Sequence, residues 1–437
     1  MNFMRKILFC SLITLLILFA PSCQLKPESS TDRTTNTPLE IGESTAVISS
    51  PTIELSPEDH VSITNSSNDI SESLSTRRIV YTDNEKLWIW ENGESRLLTE
   101  SLDYANPFDT DHVAISGDGN IIAFGTGYWG DQVHVINVDG SDERVVVDRY
   151  FTSDYDEGPL TILYKLGWIP ETHKLIIDTS LWIQTGLYSP GKTNIIFDAD
   201  DSSIQINNSS DLYFPSPNGR LIAAVNSEVI TVMNSNGSDR RTIFTFNSPL
   251  PGGWSYPTPM WGNDSNSIAL SIPASEFQSS SSFWKIIIDP LDVSSLAEID
   301  NWPESYSPGS ISPDFLYLIY SKESDLFFRS LNLSYDRLLY SGDVLGEVKW
   351  APDASKFIFL TTVDDDNVMM GSISDGGELE TLKGLRVSEV DWIDSDNVLF
   401  FGSNEIGIWN VDEDVSIHLA DIDGWYPLFS KYDYYVE

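Results

Sequence analysis

Residues 215–244 begin Pro215-Ser-Pro-Asn-Gly-Arg-Leu-Ile-Ala-Ala224 and continue, after five residues, as Ile230-Thr-Val-Met-Asn-Ser-Asn-Gly-Ser-Asp-Arg-Arg-Thr-Ile-Phe244. Pro, Asn and Gly in the first run build a tight turn that delivers the chain into a short apolar strand. The second run is two β segments joined at Asn236-Gly237, a dipeptide suited to the positive φ angles of a hairpin. No 3.6-residue apolar period runs through the stretch, so it reads as strand, turn, strand and hairpin.

The same order recurs along the chain. Turn-and-strand copies are Ile115-Ser-Gly-Asp-Gly-Asn-Ile-Ile-Ala-Phe124, Trp261-Gly-Asn-Asp-Ser-Asn-Ser-Ile-Ala-Leu270, Ile311-Ser-Pro-Asp-Phe-Leu-Tyr-Leu-Ile-Tyr320 and Trp350-Ala-Pro-Asp-Ala-Ser-Lys-Phe-Ile-Phe359, with weaker ones from Trp168 and Trp392. The hairpin Val133 to Val147, with Asp139-Gly140 at its turn, is a near twin of 230–244; looser versions start at Asn194, Trp284, Leu326, Val368 and Ile406. Positions 115, 168, 215, 261, 311, 350 and 392 lie 39 to 53 residues apart, the length of a four-stranded blade. The chain before 115 supplies three strands, at Ile79 and from Leu87 to Leu98, but no inner one; Tyr426 to Ser430 at the other end is expected to fill that place. The fold class is therefore all-β: a single β-propeller of about eight four-stranded blades over 77–437, with seven as the alternative, closed by the C-terminal strand joining the N-terminal blade. Such closure removes the sheet edges that invite aggregation. Trp168, Trp261, Trp350 and Trp392 are expected to pack between blades.

The motif Trp-Ala-Pro-Asp at 350–353 and Val232-Met-Asn-Ser-Asn-Gly-Ser-Asp-Arg-Arg241 resemble the WD40-like repeat of the TolB propeller family. The resemblance spans about 78–437. It implies the fold, and it implies no single function, since that family includes translocation factors, scaffolds and the propeller halves of peptidases.

The N-terminus reads as an export signal over 1–22. Arg5 and Lys6 precede an apolar run from Ile7 to Ala20, too short to span a bilayer, and Ala20-Pro21-Ser22-Cys23 resembles the lipobox of bacterial lipoproteins. Cys23 is the expected lipidation site, with plain secretion as the alternative. Residues 23–76 are expected to be a disordered tether: between 24 and 76, 20 residues are Ser or Thr and none is aromatic. The only other cysteine is Cys10, so the rest of the chain forms no disulfide or thiolate metal site.

A formal charge of −41 makes nucleic acid and anionic lipid headgroups poor partners. No Gly-x-Ser-x-Gly elbow occurs, and the five histidines show no metal-ligand spacing. Calcium is conceivable at Asp364–Asp366 or at Asp198, Asp200 and Asp201, though neither follows the EF-hand pattern; no other cofactor or metal is expected. In a four-stranded blade the turns between strands one and two and between three and four share one end of the ring. The remaining connections share the other end. Insertions at 125–132, 148–165, 181–193, 247–258, 273–283, 300–309 and 361–367 belong to that second end and gather aromatics. Tyr128, Trp129, Tyr155, Trp182, Trp254, Tyr256, Trp302 and Tyr306 are the expected ligand-binding face. The functional expectation is a monomeric, non-catalytic protein at the cell surface that binds a protein or carbohydrate, touching membrane only through its anchor. Two alternatives are a polysaccharide-acting glycoside hydrolase or lyase using acids at the central channel, and a TolB-like envelope assembly or translocation factor.

Overall fold

The computed structural model describes residues 77–83, 86–100, 113–126, 132–148, 160–183, 187–207, 211–246, 257–272, 280–300, 310–322, 325–332, 335–342, 344–362, 368–374, 378–382, 387–402, 405–422 and 429–433. Cys23 and the proposed signal and tether lie outside them.

The described residues form strands in eight four-stranded antiparallel sheets. Blade 1 holds β1 (Arg77–Asp83), β2 (Lys86–Glu91) and β3 (Glu94–Thr99). Blade 2 holds β4 (Val113–Ile115), β5 (Ile121–Thr126), β6 (Gln132–Asn137) and β7 (Arg144–Val147). Blade 3 holds β8 (Leu160–Trp168), β9 (Lys174–Ile183), β10 (Leu187–Asp198) and β11 (Ile204–Asn207); blade 4 holds β12 (Leu212–Pro215), β13 (Leu221–Val225), β14 (Val229–Asn234) and β15 (Arg241–Thr245). Blade 5 is β16 (Pro259–Trp261), β17 (Ser267–Ile272), β18 (Ser280–Ile287) and β19 (Asp292–Asp300); blade 6 is β20 (Ser310–Ile311), β21 (Tyr317–Lys322), β22 (Asp325–Ser330) and β23 (Tyr335–Ser341). Blade 7 is β24 (Val344–Trp350), β25 (Lys356–Thr361), β26 (Val368–Ser372) and β27 (Leu379–Thr381); blade 8 is β28 (Val387–Trp392), β29 (Asn397–Gly402), β30 (Glu405–Asn410) and β31 (Val415–Asp421). The last strand, β32 (Phe429–Asp433), pairs with β1 and completes blade 1. Eight blades, not seven, and the closing strand are as the repeats predict. The closing strand begins three residues later than the sequence suggests.

Eight apolar clusters hold the ring, each spanning one junction between neighbours. The cluster joining blade 8 to blade 1 packs Leu399, Phe401 and Ile408 against Ile79, Tyr81 and Trp90, so the apolar core runs around the circle without a break. The expected tryptophans sit in these junctions and do more than fill space. Trp168 donates its indole N–H to Ala114 O at 3.1 Å, Trp261 to Phe214 O at 3.1 Å, Trp350 to Ser310 O at 3.2 Å and Trp392 to Lys349 O at 2.9 Å. In each case the acceptor is on the first strand of the preceding blade, one residue before the position equivalent to the tryptophan. A repeated residue thus makes a repeated bond.

The turn after that position also repeats. Ser116, Ser216, Gly262, Ser312 and Ala351 donate their backbone N–H across the turn to Ile121, Leu221, Ser267, Tyr317 and Lys356. The residue three further on is left-handed in each: Gly119, Gly219, Ser265, Phe315 and Ala354. Gly219 needs to be glycine for a second reason, because a Cβ there would lie 2.0 Å from Pro170 O of the neighbouring blade. Gly140 and Gly237 take the positive φ that their hairpin dipeptides imply, 86° and 82°.

Trp392→Phe keeps most of the apolar volume and removes one donor from a buried junction. It should cost about 1–2 kcal/mol, read as a lower urea midpoint with an unchanged m-value; an unaltered midpoint would show that the indole bond does not hold blade 8 to blade 7.

Candidate functional site

The two ends of the ring differ in how their connections are used. At one end, the turns between first and second strands and between third and fourth run no longer than six residues. Their side chains sew blades together. Arg77 pairs with Asp394 at 2.6 Å, joining blades 1 and 8, and Arg96 donates to Val138 O at 2.6 Å, joining blades 1 and 2. Arg144 donates to Ala199 O at 3.0 Å, and Asn218 N to Ser265 Oγ at 3.1 Å. Lys356 Nζ reaches Ser395 O and Asp396 at 3.1 Å and Asp412 at 2.7 Å.

At the other end the chain between strands is long where one blade leads to the next: 100–112, 148–159, 246–258 and 301–309. Sequence reading finds the last three and misses the first, which lacks a preceding repeat to align against. It also takes strand for loop. Residues 181–183 and 187–193 belong to β9 and β10, with Tyr188 paired to Trp182 and Leu160 to Trp182 on the other side; 160–165 belongs to β8 and 280–283 to β18. The physical reason is that β-branched and aromatic residues continue past the usual strand length in blade 3, so the hairpin keeps pairing. Trp182 therefore stands in a strand, not in a loop. Tyr128, Trp129, Tyr155, Trp254, Tyr256, Trp302 and Tyr306 lie outside the described residues.

At the base of the long β9–β10 hairpin, two register irregularities coincide. One falls between Leu163 and Lys165 of β8, the other between Pro190 and Asn194 of β10, and both flank Asp178 of β9. Bulges re-aim side chains, and here they enclose a polar cluster that sequence reading overlooks. Asp178 is fully buried; its carboxylate accepts from Asn194 Nδ2 and from Tyr213 N of blade 4 at 3.2 Å. Asn194 also donates to Asp211 O at 2.7 Å, while Asp211 accepts from Asn226 Nδ2 at 2.7 Å and from the Arg240 guanidinium. Burial pushes the Asp178 carboxyl up to about 7, with the nearby Asp211 charge adding to the rise and Asn194, Tyr213 N and Lys165 opposing it. The available signal is a carboxylate at a strand position where the aligned copies carry Gly125, Val225, Ser271, Ser321 and Leu360, none of them charged.

Three first strands, β8, β24 and β28, carry irregularities of their own. In β24, Leu345 and Glu347 are exposed at the irregularity, and Lys349 Nζ stands 3.8 Å from Glu389 of β28. Lys165 of β8 sits 4.7 Å from the Phe214 ring centroid of blade 4. Acid, base and an apolar side chain are thereby placed on strands that face the axis of the ring. Among the described residues no three His, Cys, Asp or Glu side chains converge as a metal site. Asp200 pairs with His173 at 2.6 Å and Asp201 accepts from Ser203 N at 2.8 Å, whereas Asp364–Asp366 lie outside the described residues.

No family model and no curated protein matches the chain. Solved structures do resemble it. Dihydro-heme d1 dehydrogenase NirN, solved in complex with DHE, matches at 11% identity and a TM-score of 0.55, over 83% of this chain and 75% of that one. AztD from Citrobacter koseri matches at 11% identity and a TM-score of 0.47, over 83% and 99%. TolB from Acinetobacter baumannii matches at 14% identity and a TM-score of 0.34, over 62% and 82%. At such identities the likeness to NirN shows the propeller fold alone.

Arg240→Leu should cost about 2 kcal/mol or more by leaving the Asp211 carboxylate, 4% exposed, without its guanidinium. Adding Asp211→Asn to that variant should restore part of the loss in urea denaturation. Additive losses would mean that the pair is not coupled.

Proposed function

We propose that this chain is an extracytoplasmic, lipid-anchored propeller that binds a protein or glycan through the end of the ring bearing the blade-linking segments, and that it does so without catalysis. The observation behind this reading is the division of labour between the two ends. One end spends its turns on blade-to-blade hydrogen bonds, while 100–112, 148–159, 246–258 and 301–309 emerge at the other. Tyr155, Trp254, Tyr256, Trp302 and Tyr306 fall in these connections, and with Tyr128, Trp129 and Trp182 they would offer flat apolar surfaces for sugars or for cationic side chains. The negative charge of the whole chain would favour a cationic segment on a protein partner. Cys23 would carry the lipid and residues 24–76 the reach from the membrane.

A second reading places polysaccharide cleavage at the axis. It is favoured by Glu347, Glu389 and Asp391 on neighbouring first strands, with Lys349 beside Glu389. A TolB-like assembly role is a form of the first reading in which the partner is an envelope protein.

A glycan array and cross-linking in membranes identify the ligand. Trp129→Ala, Trp254→Ala and Trp302→Ala together should then weaken binding at least about tenfold with the thermal melt nearly unchanged. Full binding by that triple variant rejects the proposed face. Polysaccharide cleavage abolished by Glu347→Gln with Glu389→Gln would establish the axial reading instead.

A further inference from the structure

Blade 3 meets each of its two neighbours through a titratable polar contact. On the side of blade 2, His173 lies between two carboxylates, with Nε2 2.8 Å from Asp118 of blade 2 and Nδ1 2.6 Å from Asp200 of its own blade. On the side of blade 4, the position that holds a junction tryptophan in blades 3, 5, 7 and 8 is Pro215, as it is Ile115 in blade 2 and Ile311 in blade 6, and the apolar cluster is small: Ile169, Ile176, Ile196, Tyr213, Ile222, Ala224 and Met233. The polar group of Asp178, Asn194 and Tyr213 N occupies this junction, beneath the longest hairpin of the described strands.

Both contacts respond to a proton, although the N–H donors on Asp178 act against the effect of its burial. An imidazole bridging two carboxylates is attractive to both only as the cation. Asp178 is buried, and no guanidinium or ammonium is within ion-pair distance of it among the described residues. Arg240 is committed to Asp211, and Lys165, opposite Asp178 in register, places its ammonium over Phe214. A neutral Asp178 can sit there at modest cost, whereas an anion is desolvated with Asp211 as its neighbour.

We propose that blade 3 is a proton-responsive sector of the ring, clamped against blades 2 and 4 in mild acid and loosened as the pH rises past neutrality, so that the β9–β10 hairpin is the element released. This holds whatever the ring binds.

The signs agree. Hydrogen bonds to Asp200 and Asp118 hold the His173 imidazole above its ordinary range. The stability it contributes is complete below the unfolded value of 6.5 and is lost as pH rises through the raised folded value. Asp178 likewise binds its proton more tightly in the folded chain, so its contribution declines from the ordinary 3.8 up to about 7. Lys165, Asp211 and Arg240 face Asp178, and Asp118 and Asp200 face His173; Asp118 itself stays ionised, since hydrogen bonds from Ser116, His173 and Asn120 outweigh its partial burial. Lys174, next to His173, is 3.6 Å from Asp198.

Hydrogen exchange on the full chain, corrected for intrinsic rates, tests the proposal. Protection of β8, β9 and β10 should fall about tenfold between about pH 5 and about pH 8.5, while β21 and β22 of blade 6 keep theirs. Asp178→Asn and His173→Gln should each flatten the change in blade 3. Equal protection at both pH values, an equal fall in blade 6, or a full response in both variants overturns the idea. Should Asp178→Asn fail to fold, His173→Gln and the surface variant Asp118→Asn test the blade 2 contact by themselves.

Discussion

The junction between radially packed sheets is the constraint on which this molecule rests. A four-stranded sheet buries only part of its two faces by itself, and its first strand has a neighbour on one edge only. Both deficits are met by the next blade, so no blade is complete until the ring is. Eight apolar clusters, one at each junction, express the first requirement. The indole bonds of Trp168, Trp261, Trp350 and Trp392 express the second, because each supplies a donor to a first-strand carbonyl while its ring fills the wedge between sheets. Closure by β32 follows from the same demand: without it, β1 of blade 1 would present an open edge at the axis.

Once the junctions are made, the two ends of the ring are free to diverge, and they do. The turns at one end are short, rich in Asp, Asn, Ser and Gly, and engaged in bonds to the neighbouring blade, with Lys356 serving three acceptors. Length added there would break those ties. Length added at the other end extends a connection that already runs between blades and disturbs no turn geometry, which is why insertions accumulate on that side.

The repeat made the fold readable. Turn and hairpin carry local signals: Asn236-Gly237 and Asp139-Gly140 demand positive φ, and a tryptophan recurring at one position of a blade has the same wedge to fill each time. Blade count and ring closure follow from such local rules. The polar junction around Asp178 was not legible, because its meaning depends on partners 16 and 35 residues away in Asn194 and Tyr213. Composition worked against it too. In a chain with 66 acidic residues, one more aspartate draws no notice until its burial is known. Strand length in blade 3 failed for a related reason: the run through Trp182 to Tyr188 has aromatic residues suited equally to a strand or to a binding loop, and pairing across the ladder decides between them.

Blade 3 also shows what a ring does with a departure from its own repeat. At the junction with blade 4 the chain has Pro215 where four other blades carry the tryptophan, so this junction, like those entered at Ile115 and Ile311, has no indole donor. The neighbouring inner-strand segment is then met by Asp178, which accepts Tyr213 N, and by Asn194, which donates to Asp211 O. A tryptophan serves its junction at any pH, since an indole does not titrate; a carboxyl serves it best in one protonation state. Substituting one for the other leaves the geometry of the ring intact and makes one junction conditional. The condition falls on the blade whose second and third strands run furthest, so the most extended hairpin among the described strands stands on a titratable joint.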